Sequence, residues 1–131
     1  MKKSLLIATS LFVLSACIKM PTRANTEDFK IIQKGRIAPA DVLMFTDCVM
    51  DGFEKSHFIL TQFNVRQSRR STGYRVDSCA GGTSHILMSA DIFDDGRVAL
   101  WESSAAVLID TKGERKAFSE CLKKTKLAKK K

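Results

Sequence analysis

Between residues 39 and 54 the apolar positions fall at helical spacing. Val42, Phe45, Val49 and Phe53 recur every three or four residues, and Asp47, Asp51 and Glu54 form the opposite stripe. Pro39, within Ala38-Pro39-Ala40-Asp41, suits a first helical turn, where its missing N–H has no intrahelical partner. The period then falls to two. Ile59, Thr61, Phe63 and Val65 alternate with Leu60, Gln62, Asn64 and Arg66, the signature of a half-buried strand. Ser68 to Thr72 reads as a polar turn, after which Tyr74 and Val76 alternate with Arg75 and Asp77. Gly81 to Ser84 reads as a loop, His85 to Phe93 as a third strand and Val98 to Ser103 as a fourth. Asp95-Gly96 between the last two is a hairpin signal, because both residues tolerate positive φ. Asp110 and Thr111 are placed to cap a final helix running from Lys112 to about Lys126, with Ala117, Phe118, Cys121 and Leu122 as its apolar face. The expected fold class is α+β in the order α-β-β-β-β-α, a four-stranded antiparallel sheet with both helices on one face.

The third and fourth strands carry apolar residues on both sides. Leu87, Phe93, Val98 and Leu100 are assigned to one face, and Ile86, Met88, Ala90, Ile92 and, across the hairpin, Trp101 to the other. A sheet packed on one side keeps one polar face. The second apolar face is therefore either covered, by a curl of the sheet or by the segment around Phe29, Ile31 and Ile32, or it is a binding surface. Met88 and Trp101 are its candidate partner-binding residues. Arg66, Arg69, Arg70 and Arg75 cluster around the first hairpin, and Arg69 and Arg70 are candidates for gripping a carboxylate or phosphate. A solvated hairpin tip is the plain alternative.

The first residues read differently from the rest. Met1-Lys2-Lys3 is a short positive region, followed from Ser4 to Val13 by an apolar run. That run is too short to span a bilayer, which takes about 20 apolar residues, and it has the length and flanks of a secretory signal. Leu14-Ser15-Ala16-Cys17 follows. These residues resemble the lipobox of bacterial prolipoproteins. The resemblance covers residues 1–17 alone and implies removal of residues 1–16 and diacylglyceryl modification of the Cys17 sulfur. In Gram-negative bacteria the freed amine is acylated as well. Two or three acyl chains anchor a protein stably where one does not. Ile18 stands where enteric-type sorting places Asp for inner-membrane retention, which in a Gram-negative cell implies an outer-membrane anchor facing the periplasm. An ordinary secretory peptide with a chance cysteine is the alternative.

Removal of residues 1–16 leaves 131 − 16 = 115 residues, one domain's worth. The net charge of +8 is unevenly placed. Lys2 and Lys3 leave with the signal, and Lys123, Lys124, Lys126, Lys129, Lys130 and Lys131 crowd the last nine residues. The body is then neutral, 14 basic against 14 acidic residues. A high pI invites a nucleic-acid reading, which fails here because no aromatic-interleaved basic stripe lies outside the tail. The expected division is a lipidated tether over 17–34, one domain over 35–122 and a basic tail over 123–131. The tail is either a solubilising helix end or a contact to anionic lipid or envelope polymer.

Beyond Cys17 the cysteines are Cys48, Cys79 and Cys121, and export favours one disulfide. Cys48 and Cys121 lie on the apolar sides of the two helices, which makes them the expected pair, although connectivity is not deducible from sequence and pairings through Cys79 stay open. Cys79 shares strand parity with Arg75 and Asp77, towards the other face. A nucleophilic Cys79 needs a base within reach. His85 is near in sequence, but no motif joins them. Neither His57 nor His85 belongs to a paired metal-ligand motif, and Asp91, Asp94, Asp95 and Gly96 lack the spacing of a calcium loop. No phosphate-binding, dinucleotide or G-x-S-x-G motif is present. The expectation is a membrane-anchored module without cofactor, metal or nucleic acid, and without enzymatic activity. It would act on a periplasmic protein partner as an inhibitor, an immunity or exclusion protein, or an accessory of an envelope complex. A structural lipoprotein bridging lipid and polymer through its Lys-rich tail is the second reading, and an enzyme using Cys79 the third.

Overall fold

The computed structural model describes residues 23–24, 26–57, 63–81 and 85–128. The signal segment, Cys17, Ile59 and the last three lysines lie outside these residues. The chain forms β1 (Phe29–Arg36), α1 (Val42–Ser56), β2 (Phe63–Arg70), β3 (Gly73–Ala80), β4 (His85–Phe93), β5 (Arg97–Ser103) and α2 (Lys112–Ala128). Short 3-10 turns precede β1 and α1 and follow β5. The class is α+β, and the five strands form one antiparallel sheet in the order β1-β5-β4-β3-β2.

Among the described residues five strands replace the expected four. Phe29–Arg36, which the expected division splits between tether and domain, is an edge strand against β5, with Phe29 opposite Ser103 and Arg36 opposite Arg97. The register slips between Ile31 and Gln33. This bulge at the Ile31-Ile32 doublet breaks the two-residue alternation that would have marked a strand. β2 runs on to Arg70 through the expected polar turn, leaving Ser71-Thr72 as a tight connection. Its Arg66, Arg69 and Arg70 keep an exposed edge strand charged, which discourages pairing with another chain.

Both helices pack on one face. α1 lies over β2, β3 and β4. α2 lies over β1 and β5, where Ser119 Oγ donates to Gln33 Oε1 at 2.9 Å and Arg115 pairs with Glu102. The core between helices and sheet centres on Phe45, Val49, Phe53, Val76, Leu87, Met88, Ala90, Ile92, Leu100 and Phe118. Phe45 meets Phe118 edge to face at 5.5 Å between centroids. The helices are antiparallel in a regular register. Ser56 faces Gly113, Gly52 faces Ala117, and Cys48 is disulfide-bonded to Cys121, each pair one helical turn from the next. The expected disulfide is therefore present, joining Cα atoms 5.9 Å apart. Thr46 and Thr125 hydroxyls fold back on the carbonyls four residues earlier, which lets these buried polar residues sit in the helices satisfied. Because Thr125 is buried, α2 packs past Leu122, the expected domain boundary, and Lys123, Lys124 and Lys126 are exposed helical positions rather than tail.

The β4–β5 hairpin corrects the expected faces. Asp94-Asp95-Gly96 is a three-residue loop with Gly96 at φ +88°, closed by Gly96 N–H to Phe93 O at 2.9 Å. A two-residue turn at Asp95-Gly96 would have paired the strands one residue out of step. That slip transfers every side chain to the opposite face. Val98 and Ile92 are therefore partners on the helix side, as are Leu100 and Ala90, whereas Trp101 pairs with Ser89 on the far side. A bulge at Leu87 then separates Met88 from Ile86 as well. Among the described residues no helix is long and apolar enough to cross a membrane.

Candidate functional site

The sheet face away from the helices can be read in rows from the pairing register. Arg36, Arg97, Phe93, Gly73 and Arg70 make the row at the hairpin end, and Lys34, Ala99, Asp91, Arg75 and Ser68 the next. Ile31, Trp101, Ser89, Asp77 and Arg66 follow, then a small apolar patch of Phe29, Ile86 and Cys79 packed beside Trp101. The carboxylates in these rows are buried and engaged. Asp77 accepts from Ser89 Oγ at 2.7 Å and lies 3.5 Å from Arg66. Asp91 is held by Arg75 at 2.8 Å and by Arg23.

Arg23 is the centre of this face. It comes from the chain ahead of β1, and its guanidinium lies 4.5 Å from the Trp101 ring centroid and 5.1 Å from that of Phe29. A cation over a partly desolvated indole contributes about 1–2 kcal/mol. Burial lowers the pKa of this guanidinium, and the Asp91 charge opposes the shift. Among the described residues Trp101 Nε1 and Arg23 Nε are both buried without a hydrogen-bond partner, so polar atoms are enclosed where Arg23 lies on the sheet. The apolar half of this face is thus covered, at least at Arg23, by residues upstream of those expected to do so. Phe29 and Ile31 extend the face as strand residues instead.

The predicted partner-binding residues do not form one site. Met88 is fully buried in the helix-side core and has no access to a partner, a correction that follows from the hairpin register. Trp101 is half-buried beneath Arg23 on the far face. Arg69 is exposed and turned to the helix side, over Tyr74 at 4.7 Å and bidentate to Asp94 at 2.8 and 3.0 Å. Its fork is therefore filled by an internal carboxylate. That pair raises the Arg69 pKa and lowers the Asp94 pKa through the same hydrogen bonds. Arg70, one residue on, is exposed on the opposite face.

Two groups outside these expectations are built into the fold. Glu114 is fully buried in the first turn of α2. Its Oε1 accepts from Ser78 Oγ at 2.9 Å and contacts His57 Nε2, and His57 stacks on Phe63 at 4.2 Å. This is not a nucleophile relay, because the serine donates to the carboxylate and not to the imidazole. It ties the end of α1, β3 and the start of α2 together. No spacing in the sequence links positions 57, 78 and 114. The second group is the 3-10 turn Ser104–Leu108, on which Val107 is 84% and Leu108 92% exposed. The turn is held by Ser103 Oγ accepting from Ala105 N–H at 3.0 Å and by Ile109 N–H to Ala106 O at 3.1 Å. Beside it opens a groove of about 340 Å³ lined by Phe29, Lys30, Ile32, Glu102, Val107 and Arg115, among others.

Cys79 is fully buried, and burial raises its thiol pKa. It pairs across the ladder with Ile86, while His85 pairs with Ala80, so Cys79 and His85 point to opposite faces. Among the described residues no three His, Cys, Asp or Glu side chains are grouped as metal ligands. Comparison with protein-family models, with curated proteins and with solved structures finds no match.

Proposed function

We propose that this chain is an envelope lipoprotein, acylated at Cys17, whose α+β domain is a non-enzymatic module that binds a periplasmic protein. The observation that carries the reading is the pair Val107 and Leu108, two adjacent branched side chains held out into solvent on a capped 3-10 turn beside an open groove. Each is worth about 1.5–3 kcal/mol when buried against a partner, and because the turn is already ordered, little entropy opposes the contact. The titratable groups that chemistry would recruit are otherwise committed. Cys79 is buried with a raised pKa, and the Ser78–Glu114–His57 chain is enclosed between helix and sheet.

The experiment is site-specific photo-crosslinking from position 108 of the lipidated protein in intact cells. One protein is expected to be recovered reproducibly, to be lost with Val107→Asp, and to be unaffected by Lys123→Gln/Lys124→Gln/Lys126→Gln. Recovery of envelope polymer alone, lost with the lysine substitutions, would replace this reading with the structural, tail-bridging one.

A further inference from the structure

We propose that the far face of the sheet docks on an anionic phospholipid surface, so that the domain lies flat on its own membrane with the helices turned outward. The proposal rests on the lipoprotein reading of Cys17 and adds an orientation to it. Two observations carry it. The first is the basic character of that face. Lys34, Arg36 and Arg70 are exposed on the far face beside Arg66 and Arg97, which pair with Asp77 and Asp95, and the carboxylates Asp77 and Asp91 are buried in internal pairs. On the helix side, Asp47, Asp51 and Glu54 line the exposed stripe of α1. α2 on the same side is basic, exposing Lys112, Arg115, Lys116, Lys123, Lys124 and Lys126, so charge makes the far face attractive to anions and the anchor decides which face docks. The second is the length of chain left to the anchor. Arg23 is fastened to the far face by Asp91, Trp101 and Phe29, and only six steps of chain lie between it and Cys17. Fully extended, they span about 20 Å. The lipid is therefore tied to the basic face at short range. Attraction to anionic headgroups acts within about 8 Å at physiological salt, a distance that tether allows the face to enter.

The protein carries one tryptophan, Trp101, and it lies on the docking face. The test is energy transfer from Trp101 to a dansyl-labelled headgroup lipid, using the mature lipidated protein in vesicles of phosphatidylcholine alone or mixed with phosphatidylglycerol. Transfer is expected to rise with phosphatidylglycerol and to fall again with added salt. Each basic side chain at an anionic surface shifts the docked population about fivefold, so Lys34→Gln/Arg36→Gln/Arg70→Gln should lower the docked-to-undocked ratio about a hundredfold. The charge-keeping Lys34→Arg/Arg36→Lys/Arg70→Lys should retain docking, which separates charge from any effect on folding. Lys123→Gln/Lys124→Gln/Lys126→Gln should also retain it. Equal transfer in both vesicle types, or loss with the α2 lysines alone, overturns the proposal while leaving Cys17 acylation intact. A mature mass without acyl chains overturns both.

Discussion

Substituting Gly52 by alanine sets two opposing terms against each other. In an exposed helix interior the change stabilises by about 1 kcal/mol, because alanine loses less backbone entropy on ordering. Here a Cβ on Gly52 would lie 2.5 Å from the Ala117 Cβ on α2, where van der Waals contact needs about 3.8 Å. The helices would have to part by more than 1 Å. One turn away the Cys48–Cys121 disulfide holds them together, so the strain cannot relax by simple separation. Overpacking of this kind costs about 1–3 kcal/mol. With relaxation blocked we take the upper end, which leaves a net destabilisation of about 2 kcal/mol. The assay is urea unfolding of the oxidised protein, read as a lowered midpoint at unchanged slope. The coupling is the sharper readout. In a Cys48→Ala/Cys121→Ala background the same glycine substitution should cost at least 1 kcal/mol less, because the helices are then free to move apart. A Gly52→Ala protein more stable than wild type with the disulfide intact would refute the argument, as would an equal cost in both backgrounds.

Removing the disulfide itself should be the most severe of the single perturbations. Its sequence separation of 73 residues corresponds to about 4 kcal/mol in the chain-entropy model, measurable as the stability difference between oxidised and reduced protein in urea. The Asp94 carboxyl is held below its ordinary value by hydrogen bonds from Arg69, so the pair adds stability above the unfolded-state pKa. That stability is lost as pH falls through the folded value. Arg69→Ala should move the Asp94 titration upward by NMR, and an unchanged titration would show that the pair does not persist in solution. Cys79 should resist thiol reagents in the native protein and react only at the rate of unfolding, because burial both shields the sulfur and raises its pKa. Rapid native-state labelling would contradict that burial.

The two helices and the disulfide were legible because each depends on a pattern contained within its own segment. Val42, Phe45, Val49 and Phe53 mark one face of α1, and Cys48 sits beside that face. Phe118, Cys121 and Leu122 do the same for α2. The sheet was legible strand by strand but not in its registry. One residue in the Asp94-Asp95-Gly96 loop decides whether Trp101 belongs with Met88 or with Ser89, and both loop lengths satisfy the same glycine. The edge strand β1 escaped notice because its bulge hides the alternation, and because Lys30, Lys34 and Arg36 suit a tether as well as an exposed edge. The buried Ser78–Glu114–His57 chain could not be found from sequence. Its members come from three elements brought together only by packing, and a lone glutamate in a first helical turn ordinarily faces solvent. Val107 and Leu108 were similarly hidden, since a strand read over Val98 to Ser103 gives no sign of the 3-10 turn that follows and holds these two out.

The position of β1 bears on how the fold is completed. Among the described residues its only strand partner is β5, with Phe29 opposite Ser103, and the disulfide likewise waits for Cys121. A chain emerging from its N-terminus, from a ribosome or a translocon, therefore leaves its first strand unmatched until almost everything behind it has appeared. Non-local closure of this kind is slow. Under the proposed export, lateness is useful: the arrangement postpones commitment until the last helix has arrived on the side where an oxidant can lock it.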